Sequence, residues 1–144
     1  MNSYRRRYMN NINILIKCYY LPQLIESKTE EIKRLRELSE SIPGADPSRE
    51  FIPGGPQVQC RFAEIIDKVI DLESEILDEI NELLDLQKEA HKIISAVQDD
   101  TERLILQYYY IDRLSMEDIA SEIGYTLRQT YRIKKRALGK VKNI

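Results

Sequence analysis

The chain of 144 residues holds 22 Lys or Arg and 24 Asp or Glu, a formal net charge of −2, with only five Gly and five Pro. That composition excludes collagen-like and Pro/Gly-rich disordered chains, and an apolar fraction of 42% is enough for a core. Two cysteines, Cys18 and Cys60, and the single His91 exclude a disulfide framework and a zinc site, and no apolar run approaches the roughly 20 residues that span a bilayer.

Charge is unevenly spread along the chain. Residues 1–60 carry 9 basic and 7 acidic side chains, 61–100 carry 4 and 12, and 101–144 carry 9 and 5. Residues 125–144 hold 7 basic groups and no acid. This is the pattern of an anion-binding end on an acidic body.

At the N-terminus, Arg5, Arg6 and Arg7 precede an apolar patch that Lys17 interrupts, with no small-residue cleavage site after it. No signal peptide is expected, and a cytoplasmic protein with two ordinary thiols is expected. Residues 1–20 read as an extension whose YRRRY start, Tyr4 to Tyr8, is either a DNA contact or a frayed end, the frayed end being favoured. Apolar residues then recur at Ile12, Leu15, Tyr19, Leu21, Ile25, Ile32, Leu35, Leu38 and Ile42 with spacings of mostly three and four, one face of a helix. Pro22 is expected to kink or restart it. From Glu26 to Glu40, Glu alternates with Lys and Arg as on a solvated face.

Four prolines and three glycines fall between Ile42 and Pro56, so residues 43–59 are expected to form a loop. Beyond it, Ile65, Val69, Leu72, Ile76, Ile80, Leu83, Leu86, Ala90, Ile93 and Val97 keep helical spacing. Ile66, Ile70, Leu77, Leu84 and Ile94 widen that stripe. One helix from Arg61 to Val97 follows, paired with residues 2–42 as an antiparallel, coiled-coil-like hairpin. A homo-oligomer, with a dimer favoured, would bury the widened stripe. The many acids of this helix stand between the apolar positions, and His91 has Lys88 three residues before it in place of the Glu of a di-iron bundle. A solvated acidic face is therefore expected, with no metal site and no cofactor.

The C-terminal segment is denser in signals. Gln98 to Thr101 offers N-cap side chains, and Glu102 to Asp112 reads as a short helix with Leu104, Ile105, Tyr108 and Ile111 inward. After a turn at Arg113 and Leu114, Ser115 and Asp118 form a capping-box variant. Ile119, Ala120 and Ile123 are expected to be buried, and Gly124 to stop that helix. Thr126 and Gln129 make a second capping box, which opens a last helix from about Leu127 to Val141. Thr130, Ile133, Ala137 and Val141 fall on one side of it; Arg128, Gln129, Arg132 and Lys135 fall on the other.

Two short helices joined through Gly, the second basic, make a helix-turn-helix, and the major groove of double-stranded DNA admits one such helix. Arg128, Gln129 and Arg132 are the expected base contacts, because Arg pairs bidentately with guanine and Gln with adenine. Thr126, Tyr131, Lys134, Lys135, Arg136 and Lys140 are the expected phosphate contacts. No activated nucleophile and no phosphate-cradling Gly loop appears, so no catalytic residue and no enzymatic activity are expected. The expected division is a helical hairpin over 1–98 and a DNA-binding domain over 99–144, in an all-α fold.

LSMEDIASEIGYTLRQTYRIKKRALGKV resembles the helix-turn-helix of sigma-factor region 4. The stretch from about Leu21 to Val141 resembles phage-encoded regulators of the ArpU/RinA type, found in Gram-positive bacteria and their prophages. The resemblance rests on IESKTEEIKRLRELSESI, the Pro/Gly loop, IIDKVIDLESEILDEINELLDL and LILQYYYIDRLSMEDIASEIGYTLRQTYRIKKRAL. It implies a transcription regulator of late phage genes, acting at the nucleoid of the bacterial host, with a contact to RNA polymerase as a further implied partner. Nothing resembles the polymerase-binding helices of sigma region 2, so a complete sigma factor is not expected. Thr130 stands where region 4 usually has Val, a departure expected to loosen the last helix. A phage small terminase subunit and a coiled-coil adaptor that binds no nucleic acid are the alternative readings.

Overall fold

The computed structural model describes residues 3–42 and 55–143, with side chains over 11–42 and 59–143. The side chains of Tyr4, Arg5, Arg6, Arg7 and Tyr8, and residues 43–54 of the expected loop, lie outside the described residues. Among the described residues there are five α-helices and one π-helical turn: α1 (Ser3–Glu40), α2 (Gly55–Ser95), α3 (Asp100–Leu106), the π turn (Gln107–Ile111), α4 (Met116–Ile123) and α5 (Leu127–Val141). There is no strand among the described residues. The all-α class, with long helices followed by a C-terminal helix-turn-helix, is as the periodicity predicts.

Two boundaries differ from expectation. Helix α1 continues past Pro22, so the proline does not restart it, although a mid-helix proline costs about 3 kcal/mol and leaves the Cys18 carbonyl without its amide partner. Leu15 and Cys18 before the proline are buried, and Ile25 and Ile32 after it are half-buried. Helix α2 begins at Gly55, inside the stretch expected to be loop to residue 59. Pro56 fits there because the first-turn amides of a helix have no intrahelical acceptor to lose.

The chain forms two compact units, one of Gln23–Asn81 and one of Met1–Pro22 with Glu82–Ile144. In the first, Val69 and Leu72 are buried, and Ile25, Ile32, Leu35, Ile65 and Ile76 are half-buried. Ion pairs bridge its two helices: Arg36 with Glu73, Glu31 with Lys68 (3.4 Å), and Lys28 with Glu75 (3.2 Å) and Glu79. The side chains expected on a solvated face therefore line the seam in part. The Glu79 hydrogen bond, followed by the neighbouring Glu75, raises the Lys28 ammonium above the ordinary lysine range. Leu38 is exposed and Ser39 takes its place inside, its hydroxyl donating to the Arg36 carbonyl at 2.7 Å.

In the second unit the expected boundary at residue 98 does not separate cores. Leu15 and Cys18 of α1 and Ala90, Ile93, Ile94 and Val97 at the end of α2 share one cluster with Leu106, Tyr110, Ala137 and Val141. A smaller cluster of Ile105, Met116, Ile119 and Ile133 lies within the C-terminal helices. Helix α3 turns Glu102, Ile105 and Leu106 inward, which leaves Leu104 exposed, against expectation. The Asp112 amide donates to the Gln107 carbonyl five residues back (3.0 Å), and this wider turn carries Tyr110 into the core.

Candidate nucleic-acid interface

Each helix of the C-terminal cluster starts at a side-chain cap. The Asp99 carboxylate accepts from the Glu102 amide at 3.0 Å, and the Ser115 hydroxyl accepts from the Asp118 amide at 3.1 Å. That amide bond to Asp99 is the main reason its carboxyl titrates below the ordinary range. Helix α4 ends at Gly124, whose φ of 74° and ψ of 27° are left-handed, a conformation a side chain would strain. Two residues later the Thr126 hydroxyl accepts from the Gln129 amide at 3.2 Å, while Gln129 Oε1 accepts from the Thr126 amide at 3.1 Å. Both capping boxes sit where the sequence places them, although only the second is reciprocal. The ends of α4 and α5 at the turn are thereby set by local chemistry.

Helix α5 buries Thr130, Ile133, Ala137 and Val141, the four expected positions. Thr130 does not loosen the packing. It is fully buried, and its hydroxyl donates to the Thr126 carbonyl at 2.8 Å, so no polar atom is stranded. On the opposite face Arg128, Arg132 and Lys135 are exposed at spacings of four and three, one continuous basic stripe from the capped N-terminus. Tyr131 is also exposed, beside that stripe.

The remaining expected contacts are engaged within the unit. Gln129 Oε1 also accepts from the Thr126 hydroxyl at 3.1 Å. A bidentate adenine contact would need this same oxygen, so Gln129 serves first as a cap. Lys134 Nζ lies 3.6 Å from the centroid of the Tyr109 ring, and burial lowers its ammonium below the ordinary lysine range. Arg136 Nε donates to Glu102 Oε1 at 2.7 Å. Lys140 Nζ stands 3.0 Å from Glu102 Oε2, a charge contact without hydrogen-bond alignment.

Three groups at this site escape a reading of the sequence: Glu102, Tyr109 and Tyr19. Tyr19 of α1 stacks on Tyr109 at 4.8 Å and 7°, and the guanidinium of Arg113, held at φ 57° in the turn before α4, lies 5.5 Å from the Tyr19 centroid. Glu102 lies 34 residues from Arg136, and Tyr19 lies still further from Tyr109. No local spacing connects such pairs.

Capped helices joined through a left-handed glycine, with a basic stripe on the second, define a helix-turn-helix of the DNA-binding kind. Residues 99–143, the C-terminal third of the chain, match the family model for sigma-70, region 4, itself a DNA-binding helix-turn-helix. No curated protein and no solved structure matches the chain. Among the described residues no helix is long and apolar enough to cross a membrane.

Proposed function

We propose that the protein is a sequence-specific, DNA-binding transcription regulator of the phage or prophage type, acting on late genes inside the host cell. The observation that carries this reading is the arrangement of α5. Its N-terminus is held by a reciprocal capping box, and Arg128, Arg132 and Lys135 stand outward, opposite Thr130, Ile133, Ala137 and Val141. In such an arrangement the N-terminal turns enter the major groove, where Arg128 and Arg132 read guanine edges. Lys135 neutralises phosphate.

The long helices serve oligomerisation in this reading. Ile70, Leu77 and Ile80 stand exposed on α2, with Leu77 at 63%, and Ile70 and Leu77 are one heptad apart. A dimer through this stripe would present two recognition helices to half-sites about one helical turn apart. The sigma region 4-like match favours RNA polymerase as a second partner.

The test is a pull-down of sheared phage and bacterial DNA by the full chain at about 150 mM salt, a concentration at which phosphate contacts alone hold weakly. A sharp site upstream of an operon is the expected result, and Arg128→Ala should relax it at a single position. Enrichment at a packaging locus would favour a small terminase subunit. Retention without any site, or none, would leave the coiled-coil adaptor as the better account.

A further inference from the structure

Glu102 is a fully buried carboxylate in the first turn of α3. Its place is pinned, because its own amide donates to the Asp99 cap at 3.0 Å. Its two oxygens face two cations of α5, Arg136 at 2.7 Å and Lys140 at 3.0 Å. Those cations stand one helical turn apart on the flank of α5 and keep about half their side-chain surface in water, at 57% and 52%. Each is long enough, and near enough to the basic stripe, to reach a DNA backbone if it were released.

We propose that Glu102 is a positioning residue for DNA recognition: by holding Arg136 and Lys140 it keeps two cations of the recognition helix off the phosphates. Binding then rests on Arg128, Arg132 and Lys135. The inference depends on the DNA-binding reading above and adds which cations perform it.

The consequence is selectivity. Phosphate contacts strengthen every duplex alike, whereas base-edge contacts strengthen only the right one. Withdrawing two phosphate ligands lowers the general affinity and leaves the base contacts intact, so the ratio of specific to general binding rises. A region with seven basic groups and no acid over 125–144 would otherwise bind any duplex. The buried acid from α3 supplies the missing counter-charge across 34 residues of sequence.

The experiment is the salt dependence of binding to a random-sequence duplex of about 30 base pairs, using the full chain and Glu102→Gln, which keeps the shape and removes the charge. Two released cations should steepen the logarithmic salt slope by about 2, at roughly 0.9 per phosphate. Glu102→Gln should then lose about tenfold more affinity than the parent between about 50 and 200 mM salt. An unchanged slope with a lowered melting temperature would overturn the proposal and leave Glu102 a purely structural bond.

Two further variants keep the test decisive if Glu102→Gln does not fold. Lys140→Gln should leave the parent slope unchanged, whereas Lys135→Gln should flatten it by about 1. Equal flattening by both would place Lys140 on a phosphate and overturn the proposal. If the parent retains no duplex at any salt, the DNA-binding reading itself fails, and the proposal with it.

Discussion

Lys134 Nζ stands 3.6 Å from the ring centroid of Tyr109, and Tyr109 in turn stacks on Tyr19. A cation of α5, an aromatic ring of the π turn and an aromatic ring of α1 thus form one column. A second relationship, Arg136 with Glu102, ties α5 to α3. The recognition helix is therefore held on two sides by residues outside the helix-turn-helix motif proper.

The column makes the energetic coupling of Lys134 and Tyr109 measurable. A partly desolvated cation over an aromatic face contributes about 0.5–2 kcal/mol. A double-mutant cycle of Lys134→Met and Tyr109→Leu, read by denaturant unfolding, should give a coupling in that range. A coupling of zero would mean that the ammonium spends its time in water.

Gln129 separates capping from base reading. In Gln129→Glu the side chain still accepts from the Thr126 amide, and its charge suits a helix N-terminus, so stability should change by less than about 0.5 kcal/mol. DNA binding should fall, because the change adds a negative charge to the end of α5 that the proposed function places in the major groove. Thr126→Ala, which removes the cap itself, should cost about 1 kcal/mol of stability.

The shared core predicts that changes far from the motif damage it. Leu15 of α1 is fully buried in the cluster that holds Ala137 and Val141, and Leu15→Ala should cost about 2–5 kcal/mol. Its melting temperature and its DNA affinity should fall together. Leu38→Ala, at an exposed position on α1, should change the stability of the folded chain by less than about 0.5 kcal/mol. Should Leu15→Ala melt as the parent does, the core does not extend into α1.

Alkaline pH probes the same cluster. Burial pushes the Cys18 thiol up to about 11 from an ordinary 9.0. Between those values the unfolded chain gives up this proton and the folded chain keeps it, so stability falls as pH rises through that window. Unfolding curves across that range should show a shallower loss for Cys18→Ala than for the parent. Tyr110, raised by burial to about 12, adds its own loss higher up. In the native state a thiol reagent should titrate the exposed Cys60 quickly and the buried Cys18 slowly.

Much of this structure can be read from neighbours in the chain. Caps at Asp99, Ser115 and Thr126, the glycine stop at Gly124 and the buried face of α5 all follow from residues three or four apart. Their energies arise within a single turn of helix, so the amino-acid order alone determines them. The class of the fold follows from periodicity in the same way.

The roles of the basic residues do not. Seven cations in the last twenty residues look alike by spacing, yet Lys134 is taken by an aromatic ring and Arg136 and Lys140 by a buried acid. Helix α1 likewise continues through Pro22, where local propensity alone would break it. A charge or a proline acts through what packs against it, and here those partners lie tens of residues away. Only the folded chain brings them within a few ångströms, where a Coulomb contact or a buried apolar surface outweighs the local preference.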